Sequence, residues 1–382
     1  MALIKRQLQQ VIEERIFQGK AIILIGARQV GKSTLFQQIL SELHTKGITN
    51  EQVLMMDCDD PEIRGLLQNA NLNDLGQMLV GKRVALVDEA QRVKGIGLTL
   101  KMITDHFPDV QLLVTGSSSF LLQGQLNEPL TGRKFEYRLF PISTQELYND
   151  GGLVLVKQSL ESRLVFGSYP DVLSQKENAR ELLGNLSGSY LYQDLLSLEG
   201  VRKPAILEKL LVALALQLGD EVSYNELAQT VGTDSKTVEK YIDLLEKCYV
   251  IFHLSALSRN LRTELKKSKK FYFYDNGIRN ALIRNYNPIA LRNDTGALWE
   301  NWMISELVKK RAYDRQFVNR YFWRTTQQQE IDYIEEADGH FTAYEFKWNP
   351  KKKAKISQTF LKAYPNTEIM TVNPENFYTL LL

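Results

Sequence analysis

The chain has 382 residues, 44% of them hydrophobic, and a formal net charge of +2. That length predicts two or three domains with ordinary soluble cores. The near-neutral balance excludes a polycation, so any nucleic-acid surface must be local. Cys58 and Cys248 stand far apart in the sequence, and His44, His106, His253 and His340 are scattered. This pattern argues against a disulfide framework and a Cys/His metal centre and points to a reducing, cytoplasmic compartment. No apolar run approaches the length of a membrane span, and residues 1–20 carry charges at helical spacing rather than a signal-peptide pattern.

In chain order, residues 3–17 read as an amphipathic helix. Residues 22–36, IILIGARQVGKSTLF, read as a strand, a Gly-bounded loop and a helix start. The loop Gly26-Ala27-Arg28-Gln29-Val30-Gly31-Lys32-Ser33 fits G-x-x-x-x-G-K-[ST] at every fixed position. The glycines permit a tight turn that aims backbone N–H groups at phosphate oxygens, helped by the positive end of the following helix. Lys32 supplies a point charge for the β- and γ-phosphates of ATP, Ser33 a hydroxyl for Mg²⁺, and Thr34 is a neighbour of the α-phosphate. A second strand, 53–56, runs into the acidic Asp57-Cys58-Asp59-Asp60, which reads either as a neighbour of the Mg²⁺ shell or as a solvated loop.

Val84-Ala85-Leu86-Val87-Asp88-Glu89 has the form of a Walker B strand, unbroken in apolar residues because a parallel strand is buried on both faces. Asp88 is assigned to Mg²⁺ and Glu89 to the attacking water. A further strand, 111–114, leads to Thr115-Gly116-Ser117-Ser118-Ser119. A hydroxyl there, assigned to Ser117, would sense the γ-phosphate or orient water; a Ser-rich helix cap is the alternative. In LTGRKFEYRLFP, Arg133 follows a Gly turn and is a candidate arginine finger acting on a neighbouring subunit, with a surface ion pair as the alternative.

GARQVGKST, VALVDEAQ, LLVTGSSS, LTGRKFEYRLFPIS and Gly167-Ser168-Tyr169-Pro170 resemble the prokaryotic AAA-superfamily ATPases that carry a C-terminal domain of unknown function. The resemblance spans nearly the whole chain. It implies an ATP-hydrolysing parallel α/β core, a helical lid and a winged helix, in the order seen in replication-initiator ATPases. No second sensor arginine is placed in the lid.

Residues 144–195 are helix-rich. Around 224–247 a helix, a turn at Gly232 and a helix over 236–247 have the helix-turn-helix layout, with Lys236, Thr237 and Lys240 outward near the second helix's start. Two β-rich stretches, near 249–257 and 270–274, flank a basic segment with Arg259, Arg262, Lys266, Lys267, Lys269 and Lys270, six basic residues against one acidic. It fits a wing lying on a phosphate backbone. A solvated loop and a protein-binding winged helix are the alternatives.

Near the C-terminus a helix over 296–310 carries Glu300, and three strands follow. Alternation puts Glu345 and Lys347 on one face, and a hairpin turning near Asp338-Gly339 brings Asp332 beside them. Two carboxylates can hold a metal that activates water, and a lysine can orient that water. This order resembles the PD-(D/E)XK nuclease superfamily, with Glu300 matching the helix carboxylate of some members and Ile331 departing from the motif's proline. An inactive copy that only grips DNA is the alternative. Lys351, Lys352, Lys353 and Lys355 form an adjacent basic rim.

The expected fold class is therefore α/β: a P-loop AAA-type parallel sheet (1–143), a helical lid and connector (144–200), a winged helix-turn-helix (201–285) and a restriction-endonuclease-like α/β domain (286–382). The expected activity is ATP hydrolysis by a DNA-binding homo-oligomer using ATP and Mg²⁺. The alternative is an ATP-dependent switch that binds protein partners.

Overall fold

A computed structural model describes residues 3–116, 129–190, 201, 203–258, 269–325, 327, 329–352, 354 and 357–382. The chain divides into two compact units, one holding Lys5–Phe140 with Lys247–Tyr249, the other Pro141–Glu246 with Val250–Leu382. None of the described helices is long and apolar enough to cross a membrane.

The first unit is built on five strands, β1 Ala21–Ile25, β2 Val53–Asp57, β3 Val84–Asp88, β4 Gln111–Gly116 and β5 Lys134–Arg138. Their order is β2-β3-β4-β1-β5, and every neighbouring pair is parallel. Parallel neighbours require crossovers, supplied here by helices such as Lys32–Thr45 and Ile96–His106. All of β1 is buried, which is what an unbroken Ala-Ile-Ile-Leu-Ile run requires. The helix expected over 3–17 is confined to Gln7–Glu13. Because all strands point one way, their C-terminal ends gather Gly26, Asp88, Gly116 and Arg138 at one edge.

The second unit opens with helices Thr144–Phe166, Pro170–Ser174 and Ala179–Asn185, followed by Pro204–Leu216, Tyr224–Val231 and Ser235–Lys247. Gly232 ends the helix Tyr224–Val231 in the left-handed region, φ 77°, as the sequence predicts. Seven strands, β6 Glu221–Val222, β7 Ile251–Ala256, β8 Lys269–Phe273, β9 Asn319–Arg324, β10 Glu330–Ala337, β11 His340–Phe346 and β12 Thr367–Val372, form one sheet in the order β12-β11-β10-β9-β7-β8-β6. Strands read from sequence as parts of two domains are thus continuous: β7 pairs parallel with β9 through Ser255↔Tyr321 and Ala256↔Phe322. The pairing covers an edge of the β7–β8 hairpin that would otherwise expose unpaired amides.

Gly167-Ser168-Tyr169-Pro170 has a structural role. The Asp275 carboxylate accepts from Ser168 N at 2.6 Å and Gly277 N at 2.8 Å. Gly167 has φ +75°, and a Cβ there would overlap that carboxylate. Beside it, the wholly buried Arg163 donates to Ser168 Oγ and Thr144 Oγ1, each at 3.0 Å, and pairs with Glu306 at 3.2 Å. Lys309 Nζ reaches the same Glu306 at 2.7 Å. Burial alone would raise the Glu306 pKa, but Lys309 and Arg163 outweigh it and hold the carboxyl down at about 2.

Candidate functional site

The loop between β1 and the helix Lys32–Thr45 is shaped by backbone demands. Gly31 sits at φ 94° and Gln29 at φ 59°. Gly26 is closed in by the neighbouring chain, since a Cβ there would overlap Leu139 O. The loop stands at a helix N-terminus, where free N–H groups and the dipole favour anions. Lys32 Nζ donates to Gly26 O at 3.2 Å and Ala27 O at 2.9 Å, which holds the buried ammonium over the loop. The parallel sheet then brings a distant residue in: Ser33 Oγ donates to Asp88 Oδ2 at 2.8 Å.

Strand β4 lies between β1 and β3, and its Thr115 Oγ1 donates to Asp88 Oδ1. Glu89 N donates to Thr115 Oγ1 at 3.0 Å and Asp88 Oδ1 at 3.1 Å. Glu89 is in the left-handed region, φ 52°, costly for a non-glycine residue, and Gln91 Nε2 donates to its carboxylate at 2.5 Å. Thr115 and Gln91 are the residues the sequence reading missed. Thr115 ends the apolar run of β4, the available signal; Ser117, the hydroxyl expected from the sequence, lies outside the described residues.

Arg133 is not brought to this edge. It precedes β5, and its backbone accepts from Ala21 N at the start of β1. The length of a five-residue strand, roughly 16 Å, therefore separates it from the loop. Its guanidinium pairs with Asp105 at 2.5 Å on the surface. The arginine at the loop's edge is Arg138, paired in register with Ile25.

A second site lies in the seven-stranded sheet. Asp338 and Gly339 turn the β10–β11 hairpin with φ 52° and 78°, the positive values a two-residue Asp-Gly turn needs. The hairpin brings together Asp332, Glu345 and Lys347: Lys347 Nζ stands 2.7 Å from Glu345 Oε2 and 3.4 Å from Asp332 Oδ2. Phe346 N also donates to Asp332 Oδ2 at 2.8 Å. Glu345 Oε1 is buried without a hydrogen-bond partner.

Lys270 requires a correction. Read as a DNA contact, it is 2% exposed, and its ammonium pairs with Glu330 and stands 3.8 Å from Glu300. Strand alternation turns it away from solvent, and Tyr272, two residues on, donates to Glu300 at 2.7 Å. Burial opposes the Lys270 charge, but Glu300 and Glu330 outweigh it and raise its pKa. Burial, reinforced by Asp332, pushes Glu300 up to about 8 and Glu345 up to about 7. Among the described residues no group of three or more His, Cys, Asp or Glu is spaced to hold a metal.

Of the remaining nucleic-acid contacts expected from the sequence, Lys236 and Lys240 are exposed. Thr237 is half-buried, and its hydroxyl is engaged at 2.8 Å by Asp234, which also accepts Thr237 N and so caps the helix. Lys269 donates to Tyr224 OH at 3.3 Å. Arg259, Arg262, Lys266 and Lys267 lie outside the described residues, as do Lys353 and Lys355 of the rim; Lys351 and Lys352 are exposed.

Residues 18–148 match a family described as an AAA domain. Residues 157–288 and 295–379 match two families described as domains of unknown function, DUF8612 and DUF4143. An uncharacterized protein of Haemophilus influenzae is 28% identical over 300 residues, 74% of each chain. One of Mycobacterium tuberculosis is 27% identical over 358 residues, 91% of this chain and 74% of the relative. The solved Walker-type ATPase PABY2304 of Pyrococcus abyssi aligns over 74% of this chain and 96% of its own, with a TM-score of 0.49 and 17% identity. AMPPCP-bound DnaA from Aquifex aeolicus aligns over 63% and 86%, with a TM-score of 0.27 and 15% identity. The AAA match falls on the first unit, whose all-parallel sheet around the loop has the P-loop ATPase fold.

Proposed function

We propose that this chain is an ATP-hydrolysing protein that acts on DNA as a homo-oligomer. The observation that carries the reading is the meeting of Lys32, Ser33, Asp88 and Glu89 at the C-terminal edge of one parallel sheet. The site fits a nucleotide with Mg²⁺. The Gly26–Ser33 loop leads into a helix N-terminus through Gly31 at φ 94°, and the Ser33 hydroxyl and Asp88 carboxylate already stand within hydrogen-bond distance. Loop N–H groups and Lys32 bind the phosphates, with Thr34 beside them, and Ser33 and Asp88 hold the ion. When bound, Mg²⁺ supplies charge neutralisation at the phosphates. Glu89 takes the role of polarising water, with Gln91 and Thr115 fixing its position. Ser117 keeps its assignment as a sensor. Arg133 keeps its assignment as an arginine finger for a neighbouring subunit's nucleotide, while its pairing with Asp105 favours the surface ion-pair alternative.

Helices Tyr224–Val231 and Ser235–Lys247 with the β7–β8 hairpin are read as a winged helix that presents Lys236 and Lys240, the segment with Arg259, Arg262, Lys266 and Lys267, and then Lys269 to a phosphate backbone. The test is ATP hydrolysis with single-stranded, duplex and four-way-junction DNA, comparing the parent with Glu89→Gln. A DNA-stimulated rate lost in the variant supports the reading. A rate indifferent to every DNA, without salt-sensitive binding, overturns it.

One observation favours the protein-partner switch: Glu239 and Asp243 are exposed on the same helix as Lys236 and Lys240, so its outer charges balance. Nucleotide-dependent capture of a protein without DNA would support that reading.

The C-terminal cluster, with Glu300, Asp332, Glu345 and Lys347, is read as a metal-dependent nuclease-like site. Support comes from the convergence of Asp332, Glu345 and Lys347; against it, no group of three or more acidic or His/Cys residues among the described residues is spaced to hold a metal, which favours the copy that only grips DNA. Asp332→Ala should abolish DNA cutting and leave ATP hydrolysis intact.

A further inference from the structure

The first helix, Gln7–Glu13, begins directly after Arg6 and buries Leu8 and Ile12. By its charge Arg6 reads as a surface residue, yet it is 5% exposed. Its guanidinium bridges two backbone carbonyls that are distant in sequence. Nη1 donates to Val30 O at 2.7 Å, inside the glycine-bounded loop. Nη2 donates to Phe140 O at 2.6 Å, just past the end of β5. A second tie runs alongside, where Leu139 N donates to Ile25 O at 2.8 Å. The loop is thus fastened to the exit of β5 directly at its start, and through Arg6 at Val30.

The direction of that hold has a consequence for the neighbouring amide. A trans peptide is planar, and its C=O and N–H point opposite ways. With Val30 O turned to Arg6, the N–H of Gly31 points away from it. Glycine adopts positive and negative φ with similar ease, so Gly31, at φ 94°, does not by itself fix this peptide's orientation. A planar guanidinium with two N–H groups aimed at fixed carbonyls does. We propose that Arg6 is a positioning residue for nucleotide phosphates: by holding Val30 O outside the loop, it aims Gly31 N–H at the phosphates inside. The inference rests on the nucleotide-site reading above and adds a residue that lies outside the loop motif and upstream of it. Arg6 touches no phosphate in this role; the loop amide does.

The test is calorimetric titration of the full chain with ATP and ADP in the presence of Mg²⁺, beside thermal unfolding without nucleotide. The parent is expected to bind both. At a temperature where it is fully folded, Arg6→Met should weaken both about 10–100-fold, the range for a well-aimed hydrogen bond to a charged group. In hydrolysis, the KM for ATP should rise by a similar factor with kcat within about threefold, since Asp88 and Glu89 are untouched. Arg6→Lys keeps the charge but lacks the planar fork, and should remain about 3–10-fold weaker than the parent. A folded Arg6→Met that binds both nucleotides as the parent does overturns the inference and spares the nucleotide-site reading, whatever its stability. A fall in kcat with KM unchanged overturns it as well. Parent-like affinity in Arg6→Lys would make charge the cause and overturn the bridging role. A parent that binds neither nucleotide overturns the site reading and the inference with it. Should Arg6→Met fail to fold, Arg6→Lys decides by the same titration.

Discussion

The nucleotide loop and the carboxylate cluster are built in opposite ways. At the loop, Gln29 and Gly31 set the turn with positive φ, Lys32 Nζ donates to Gly26 O and Ala27 O within the loop itself, and one distant strand delivers Asp88. The cluster draws on β8, the helix Thr295–Tyr313, β10 and β11, and its groups are buried ions whose partners are one another. A site made by local backbone can be recognised by spacing. A site made by sheet order has no short signature, and its charge balance depends on every strand being in place.

The largest expected effect tests the loop side of this contrast. Glu89→Gln should lower the ATP hydrolysis rate about 10²–10⁴-fold while retaining nucleotide binding, because it removes a general base and little else. Phosphate release and nucleotide titration check it. Equal loss of binding would show that Glu89 shapes the site.

Breaking buried charge in the second unit comes next. Glu306→Gln leaves Arg163 and Lys309 without their carboxylate and should destabilise the protein by about 3–5 kcal/mol in urea unfolding. Its pH signature has a definite sign. The Glu306 pKa is held at about 2 against the ordinary 4.5, so its contribution is complete above about pH 4.5 and is lost as pH falls through about 2. The variant should flatten that acid limb. An unchanged acid limb would place the linkage elsewhere.

Gly167→Ala should cost about 1–3 kcal/mol, from positive φ and the crowding of the Asp275 carboxylate. Thermal unfolding measures it, and a neutral result would mean that the Asp275 turn yields easily. Smallest of all, Lys236→Ala and Lys240→Ala should each reduce the salt slope of DNA binding by about 1, with no change in unfolding. A slope indifferent to both would favour the protein-partner reading.

The loop, the Asp88-Glu89 strand and the Asp338-Gly339 hairpin were legible in the sequence, because each depends on neighbours within a few residues: glycines where φ must be positive, an apolar run where a strand is buried on both faces. The convergence of Asp332, Glu345 and Lys347 followed from strand alternation across one short turn. Tertiary structure alone decided the rest. Arg133 lies at the far edge of its sheet because β5 runs parallel to β1, a direction its own residues do not encode. Thr115 meets Asp88 because β4 separates the two motif strands. Lys270 looks like one more cation in a basic run. It becomes a buried partner of Glu300 and Glu330 only because β7 pairs with β9 and joins two stretches of chain into one sheet, a long-range pairing with no sequence pattern of its own.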